Sequence, residues 1–206
     1  MNSEYVIDQI EQGDLIATLI YDECPANPRK EFDNFGTIFT KSREYDLDNR
    51  YLSEVADERD DGSYDLRNLN KDYVWLPIYV REYSNWDIHV STGGAADDLE
   101  SYACEGVIAV SKADILSEFG GKIVTKALRK RALEILESEI TELHQYWRGE
   151  VYMWYIEDPE RGVLDSCGGY YDEDYAMSEM KASLNWHVVE SELQAEEKAL
   201  SAMAMS

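Results

Sequence analysis

The stretch TKALRKRALEILESEITELHQYW (Thr125–Trp147) decides the fold class, because it is the longest regular pattern in the chain. Its apolar residues recur at three- and four-residue spacings, and they are Leu128, Ala132, Ile135, Leu136, Ile140, Leu143 and Trp147. That periodicity predicts a long amphipathic helix. A shorter helix, capped by Ser111 or Asp114 and ending at Phe119 before two glycines, is predicted ahead of it.

The segments on either side of these helices have the patterns of strands. Five strands are predicted before the helices, at Asp14–Glu23, Asn34–Ser42, Tyr73–Tyr83, Trp86–Thr92 and Glu105–Ser111. After the long helix, EVYMWYIED (Glu150–Asp158) and GVLDSCGGYY (Gly162–Tyr171) predict a hairpin, because Pro-Glu-Arg-Gly is a typical turn sequence. The last thirty residues predict a helix with a partial apolar stripe.

This order of elements predicts an α+β fold with a mostly antiparallel sheet, a long amphipathic helix, a late hairpin and a C-terminal helix. Residues 1–175 are expected to form a single α+β domain, with a long acidic loop at about 45–71 or, within it, a short exposed helix around Tyr51–Ala56. Residues 176–206 are expected to be a C-terminal helical appendage, because the tail has high helix propensity and little to bury.

Charge is the strongest compositional feature of the chain. Asp and Glu number 43 against 19 Lys and Arg, which gives a formal net charge of −24. Binding to nucleic acid depends on Lys and Arg that neutralise phosphates, so direct binding to DNA or RNA is not expected. The expected partner is a basic protein, in particular one whose own surface binds nucleic acid.

Acidic residues beside tyrosines are the candidate partner-binding residues. In the loop they are Asp57, Glu58, Asp60, Asp61, Tyr64 and Asp65; after the hairpin they are Tyr171, Asp172, Glu173, Asp174 and Tyr175; and on the last helix they are Glu190, Glu192, Glu196 and Glu197. Carboxylates in rows can occupy a channel lined with Lys and Arg, and tyrosines can anchor the contact. The hypothesis is nucleic-acid mimicry, in which the protein blocks a DNA or RNA site.

The stretch NPRKEFDNFGTIFTKSREYDLDN (Asn27–Asn49) resembles the segment P-R-E-W-D-N-x-G-T. This segment is shared by a widespread group of small bacteriophage and mobile-element proteins. GVIAVSKADILSEFG (Gly106–Gly120), YWRGEVYMWYIED (Tyr146–Asp158) and VLDSCGGYY (Val163–Tyr171) are similar to further phrases of the group, in the same order. The resemblance implies a phage accessory protein and transfers no catalytic motif. The acidity is similar in composition to that of antirestriction DNA mimics, so an anti-CRISPR or antirestriction role is expected.

Two other classes of function remain open from the residues. A small metal-dependent enzyme is suggested by Asp165 followed by Glu179 and Lys181, a set that could hold Mg²⁺. Cys167 could also act as a nucleophile beside His89, His144 or His187. A scaffold protein that dimerises through the last helix is the third class. Neither a P-loop nor a GxGxxG or HExxH motif occurs in the sequence, so we expect a protein that is not an enzyme and needs no cofactor or metal.

The cysteines and the lack of long apolar runs indicate the cellular compartment in which the protein is expected. Cys24, Cys104 and Cys167 form no CxxC pair and leave one thiol over, which is typical of a reducing compartment. The sequence has neither the pattern of a signal peptide nor an apolar run of about 18 residues. A cytoplasmic protein is expected, in the host cell cytoplasm if a phage encodes it.

Overall fold

The computed structural model describes residues 6–41, 50–60, 62–84, 87–91 and 103–204. The strands in this part of the chain are β1 (Val6–Gln12), β2 (Leu15–Tyr21), β3 (Thr37–Thr40), β4 (Arg50–Tyr51), β5 (Asp57–Glu58), β6 (Tyr64–Asp65), β7 (Tyr73–Ser84), β8 (Asp87–Ser91), β9 (Ala103–Ser111), β10 (Tyr152–Asp158) and β11 (Gly162–Tyr170). The helices are α1 (Pro28–Glu31), α2 (Leu69–Asp72), α3 (Lys112–Phe119), α4 (Lys126–Arg148) and α5 (Glu173–Ala204), with 3₁₀ turns at Leu52–Glu54 and Leu66–Asn68. The predicted α+β class is confirmed.

The chain separates into two compact units. Unit 1 contains the residues up to Pro25 and those from Gly149 onward, and unit 2 runs from Ala26 to Arg148. This division differs from the expected one at residue 175. The reason is that Ala176 and Met180 are buried in the core of unit 1, so the first half of α5 belongs to that core.

Unit 1 is a four-stranded antiparallel sheet covered by α5. The strand order is β1-β2-β10-β11, and the predicted hairpin supplies its last two strands. Leu19 from β2 and Trp154 and Ile156 from β10 point toward α5, where they meet Met180 and Leu184. Burial of these apolar side chains is what holds the first half of α5 on the sheet.

Unit 2 is a five-stranded sheet with the order β4-β3-β9-β7-β8, packed on one face by α4. All strand pairs in this sheet are antiparallel except β3 with β4. The predicted stripe of α4 is confirmed, since Ala132, Leu136, Ile140 and Leu143 are buried against the sheet. Ser111 caps α3 by accepting a hydrogen bond from the backbone N–H of Asp114 at 3.0 Å.

The acidic segment that the sequence predicts as a loop forms the second cover of this sheet. Leu52 and Leu69 are buried with Phe39 and Val107, on the face opposite α4. Strands β5 and β6 form a small hairpin within the segment, so the described part of it is structured. The rest of the expected loop, residues 45–49 and Asp61, lies outside the described residues.

Candidate binding surface

Negative charge is divided unequally between the two units. Unit 1 has 19 Asp and Glu against three Lys and Arg, a net charge of −16 from 83 residues. Unit 2 carries the remaining −8 over 123 residues. The acidity of the chain is therefore concentrated in unit 1, where few basic side chains can offset it.

The acids at the start of α5 have a structural role in capping that helix. Asp172 accepts a hydrogen bond from the backbone N–H of Tyr175 at 2.7 Å, which is the geometry of an N-cap. Glu173 and Asp174 lie in the first turn, where the helix dipole stabilises negative charge. All three are exposed, so they cap the helix and still present carboxylates to solvent.

The four glutamates of the last helix lie along the second half of α5. Glu192, Glu196 and Glu197 are exposed, and Glu190 is partly buried. Gln194 donates a weak hydrogen bond to Glu190 at 3.4 Å. The structure thus places the acids predicted after the hairpin and on the last helix on α5 of unit 1, except for Asp172, which caps the start of that helix.

The acids predicted in the loop lie in unit 2, where the β5–β6 hairpin brings them together. Asp57 pairs with Asp65 across the hairpin, and Glu58 pairs with Tyr64. Asp65 contacts the guanidinium of Arg67 and also lies 3.7 Å from that of Arg59. The hydrogen bonds from Arg67 hold the pKa of Asp65 well below its usual range, so its charge is already balanced by arginine.

The remaining residues predicted in the loop differ in their solvent exposure. Asp57, Glu58 and Asp60 are exposed, whereas Asp61 lies outside the described residues. Tyr64 is partly buried and its hydroxyl lies 3.5 Å from Glu58. Burial and the neighbouring Glu58 raise the pKa of Tyr64, so this tyrosine stays neutral.

The two tyrosines predicted in unit 1 differ in their setting. Tyr171 is partly buried, whereas Tyr175 is 57% exposed on α5. The ring of Tyr175 packs edge-on against Tyr170, with 5.8 Å between ring centroids. Tyr175 is thus both accessible and held in place, which are the properties of an interface anchor.

A polar cluster lies where β11 meets α5. The hydroxyl of Ser183 donates a hydrogen bond to Asp165 Oδ2 at 2.5 Å, and His187 Nε2 lies 3.8 Å from the same oxygen. Asp165 therefore takes the central place between a hydroxyl and an imidazole. A serine nucleophile needs its hydroxyl bonded to the histidine instead, so this geometry does not activate Ser183.

Asp165 and Cys167 lie on β11, and Glu179, Lys181 and His187 lie on α5. Cys167 is exposed on β11. The negative charge of Glu179 contributes to raising the pKa of Tyr170, which lies on the same strand as Cys167. Burial and the Cys167 side chain raise the pKa of Tyr170 to about 12. Within the described residues, no group of three or more His, Cys, Asp or Glu is placed to hold a metal ion.

The Pro28–Thr37 motif, on which the resemblance to phage proteins rests, lies in unit 2 and packs against α4. Arg29 and Glu139 form a buried ion pair at 2.8 Å, with side chains 2% and 11% exposed. Glu139 also accepts a hydrogen bond from the backbone N–H of Phe35 at 2.6 Å, and Arg29 donates to Asn34 at 2.8 Å. These contacts anchor the motif on α4, which gives its polar residues a structural role.

Comparison with known proteins returns no matching family model, no matching curated protein and no matching solved structure. No helix in the described ranges has both the length and the apolar character needed to cross a bilayer. The functional argument therefore depends on the charge, exposure and contacts of the residues themselves.

Sequence reasoning missed two features of this surface. The contribution of Ser183 to the Asp165 cluster depends on tertiary packing, and nothing in the local sequence indicates it. The exposed apolar residues in the second half of α5 have a periodic signal in the sequence. Only the exposure of these side chains in the structure separates this second face from the partial apolar stripe predicted for the last helix.

Proposed function

We propose that this chain is a binding protein that occupies the basic, nucleic-acid-binding surface of another protein. Unit 1 supplies the acidic surface, and the exposed Tyr175 supplies an aromatic anchor. The resemblance to phage proteins adds a setting, the cytoplasm of a bacterial host. There the target would be a defence complex that handles DNA or RNA, such as a restriction or CRISPR complex.

One observation carries this proposal: unit 1 has 19 acids and only three bases. An unbalanced charge of this size steers a basic partner toward the surface and speeds association. Acids that are already balanced, such as Asp65 beside Arg67, contribute less to this effect. The proposal therefore places the principal contact on unit 1 and gives the β5–β6 hairpin a smaller part.

The spacing of the carboxylates limits what α5 can imitate. Its seven acids are spread over 32 residues, which is a helix about 48 Å long with one carboxylate per about 7 Å. Duplex DNA has one charge per about 1.7 Å of its axis. Because α5 alone is about fourfold sparser, the proposed mimicry requires the other acids of unit 1, such as Asp8 and Glu11 of β1, in addition to the helix.

The test is capture followed by displacement with nucleic acid. Tagged protein would be incubated with a bacterial lysate at low salt, and bound proteins would be eluted with random-sequence duplex DNA. We expect a basic protein to be released by the duplex and identified by mass spectrometry. Capture without release by DNA or RNA would contradict the proposal.

Two variants locate the contact. The helix variant changes Glu190, Glu192, Glu196 and Glu197 to Gln, and the hairpin variant changes Asp57 and Asp60 to Asn and Glu58 to Gln. We expect the helix variant to lose most of the DNA-releasable capture and the hairpin variant to keep most of it. The opposite order would place the contact on unit 2.

A further inference from the structure

Helix α5 has two apolar faces on roughly opposite sides. Ala176, Met180 and Leu184 form the face that is buried in the core of unit 1. At about 3.6 residues per turn, a second group in the later half of the helix points away from that face. This second group consists of Trp186, Val189, Leu193, Leu200 and Met203, and we refer to it as the outer stripe.

The outer stripe has the spacing of a coiled-coil seam. Trp186, Leu193 and Leu200 fall seven residues apart at heptad position a, and Val189 and Met203 fall at position d. Each of the five side chains is more than half exposed. Single apolar residues on a surface are common, but a row of apolar residues at heptad spacing is typical of a contact surface.

Charged residues beside the stripe restrict what can pair with it. Glu190 and Glu197 fall at position e, Glu192 falls at position g, and Glu196 takes the d position between Leu193 and Leu200. Positions e and g set the choice of partner helix through charge pairs. A second copy of this chain would place glutamate against glutamate in either orientation, so the flanks disfavour a dimer through α5.

We propose that the outer stripe docks an amphipathic helix of a partner protein, with apolar residues along its seam and Lys or Arg on both flanks. The basic flanks pair with Glu190, Glu192 and Glu197, and a basic residue facing Glu196 satisfies the acid within the seam. This inference rests on the proposed function for the basic character of the partner. It adds that the contact is made by a helix and has an apolar centre.

The test uses the full-length protein and labelled three-heptad peptides with leucine at a and d, except for one seam position where a lysine faces Glu196. The basic peptide has lysine at e and g, the acidic peptide has glutamate there, and a scrambled peptide keeps the basic composition without the heptads. Fluorescence anisotropy would measure each dissociation constant. We expect the basic peptide to bind at least about tenfold more tightly than the other two.

Variants on the same helix separate the apolar seam from charge alone. Leu193→Asp should weaken binding of the basic peptide at least about tenfold, because it removes an apolar contact from the seam. If charge alone held the peptide, the added carboxylate would strengthen binding instead. Ala195→Asp is the matched control, since Ala195 is exposed on α5 outside the outer stripe. Replacing Glu190, Glu192 and Glu197 with Lys should reverse the preference toward the acidic peptide.

Three results would overturn this inference. Equal binding of the basic and scrambled peptides would mean that charge alone attracts them. Sedimentation as a dimer that Leu193→Asp abolishes would identify a second copy as the occupant. Failure of all peptides to bind would remove the helical partner, while DNA-releasable capture by the unaltered protein would leave the proposed function standing.

Discussion

At the scale of single residues, the sequence reveals charge but does not reveal which charges are buried. Arg29 and Glu139 are separated by 110 positions, and their pairing could not be predicted from either local pattern. Likewise, the contact between Ser183 and Asp165 joins a helix to an edge strand. The acids on exposed helix positions, by contrast, could be predicted, because the apolar periodicity of a helix indicates which positions face solvent.

The buried pair in unit 2 gives a prediction about stability. Glu139→Ala leaves the Arg29 guanidinium buried without its carboxylate and removes the acceptor for the Phe35 N–H. We expect the free energy of unfolding to fall by about 3–5 kcal/mol, measured by urea denaturation. The control is Glu134→Ala on the same helix, where an exposed pair with Lys130 at 3.2 Å contributes at most about 1 kcal/mol. Equal losses from the two variants would contradict this account of the pair.

Tyr170 gives a prediction about pH. Burial, together with the Cys167 side chain, raises its pKa from 10.0 to about 12, so the folded protein holds this proton more tightly than the unfolded chain. The resulting stabilisation is complete below about pH 10 and is lost as the pH rises toward 12. Tyr170→Phe should flatten this part of the stability profile, measured by chemical denaturation at several pH values. An unchanged slope would show that other groups cause the loss.

At the scale of elements, strong local periodicity made prediction possible. The stripe of α4 and the turn between β10 and β11 are encoded within short windows, and both are found as expected. The sequence does not predict strand β1, because VIDQIEQ has few apolar residues and lies at a sheet edge. The sequence around Leu52 and Leu69 does not predict that this segment covers a sheet, because its apolar residues are isolated and show no period.

The two faces of α5 should respond differently to truncation. Met180→Ala removes a fully buried side chain and should lower the free energy of unfolding by about 2–5 kcal/mol. Trp186→Ala removes a side chain that is 60% exposed and should change it by less than about 0.5 kcal/mol. Thermal or urea denaturation of both variants would check this. A large loss from Trp186→Ala would mean that the outer stripe is part of the core.

At the scale of the whole molecule, the negative charge is not divided between the two units in proportion to their size. Unit 1 is the smaller unit and carries two thirds of the net negative charge, −16 of −24. The total could be read from the sequence, but its division between units could not, because unit 1 is built from both ends of the chain. The charge contributes to solubility and association, and the apolar cores determine the fold.

Self-repulsion within unit 1 predicts that salt stabilises the protein. Raising NaCl from about 0.01 M to about 0.5 M shortens the screening length from about 30 Å to below about 8 Å, so repulsion between acids weakens. The thermal midpoint, followed by circular dichroism, should rise with salt. It should rise less in the helix variant, which has four fewer negative charges. A midpoint that falls with salt would mean that ion pairs outweigh repulsion.

The most direct measurement is the salt dependence of binding to the protein that duplex DNA releases. Dissociation constants at several salt concentrations would be compared for the unaltered chain, the helix variant and the hairpin variant. We predict steep weakening with salt for the unaltered chain and the hairpin variant, and a flatter dependence for the helix variant. Binding that is independent of salt, or a slope that only the hairpin variant changes, would contradict the claim that unit 1 occupies a basic nucleic-acid-binding surface.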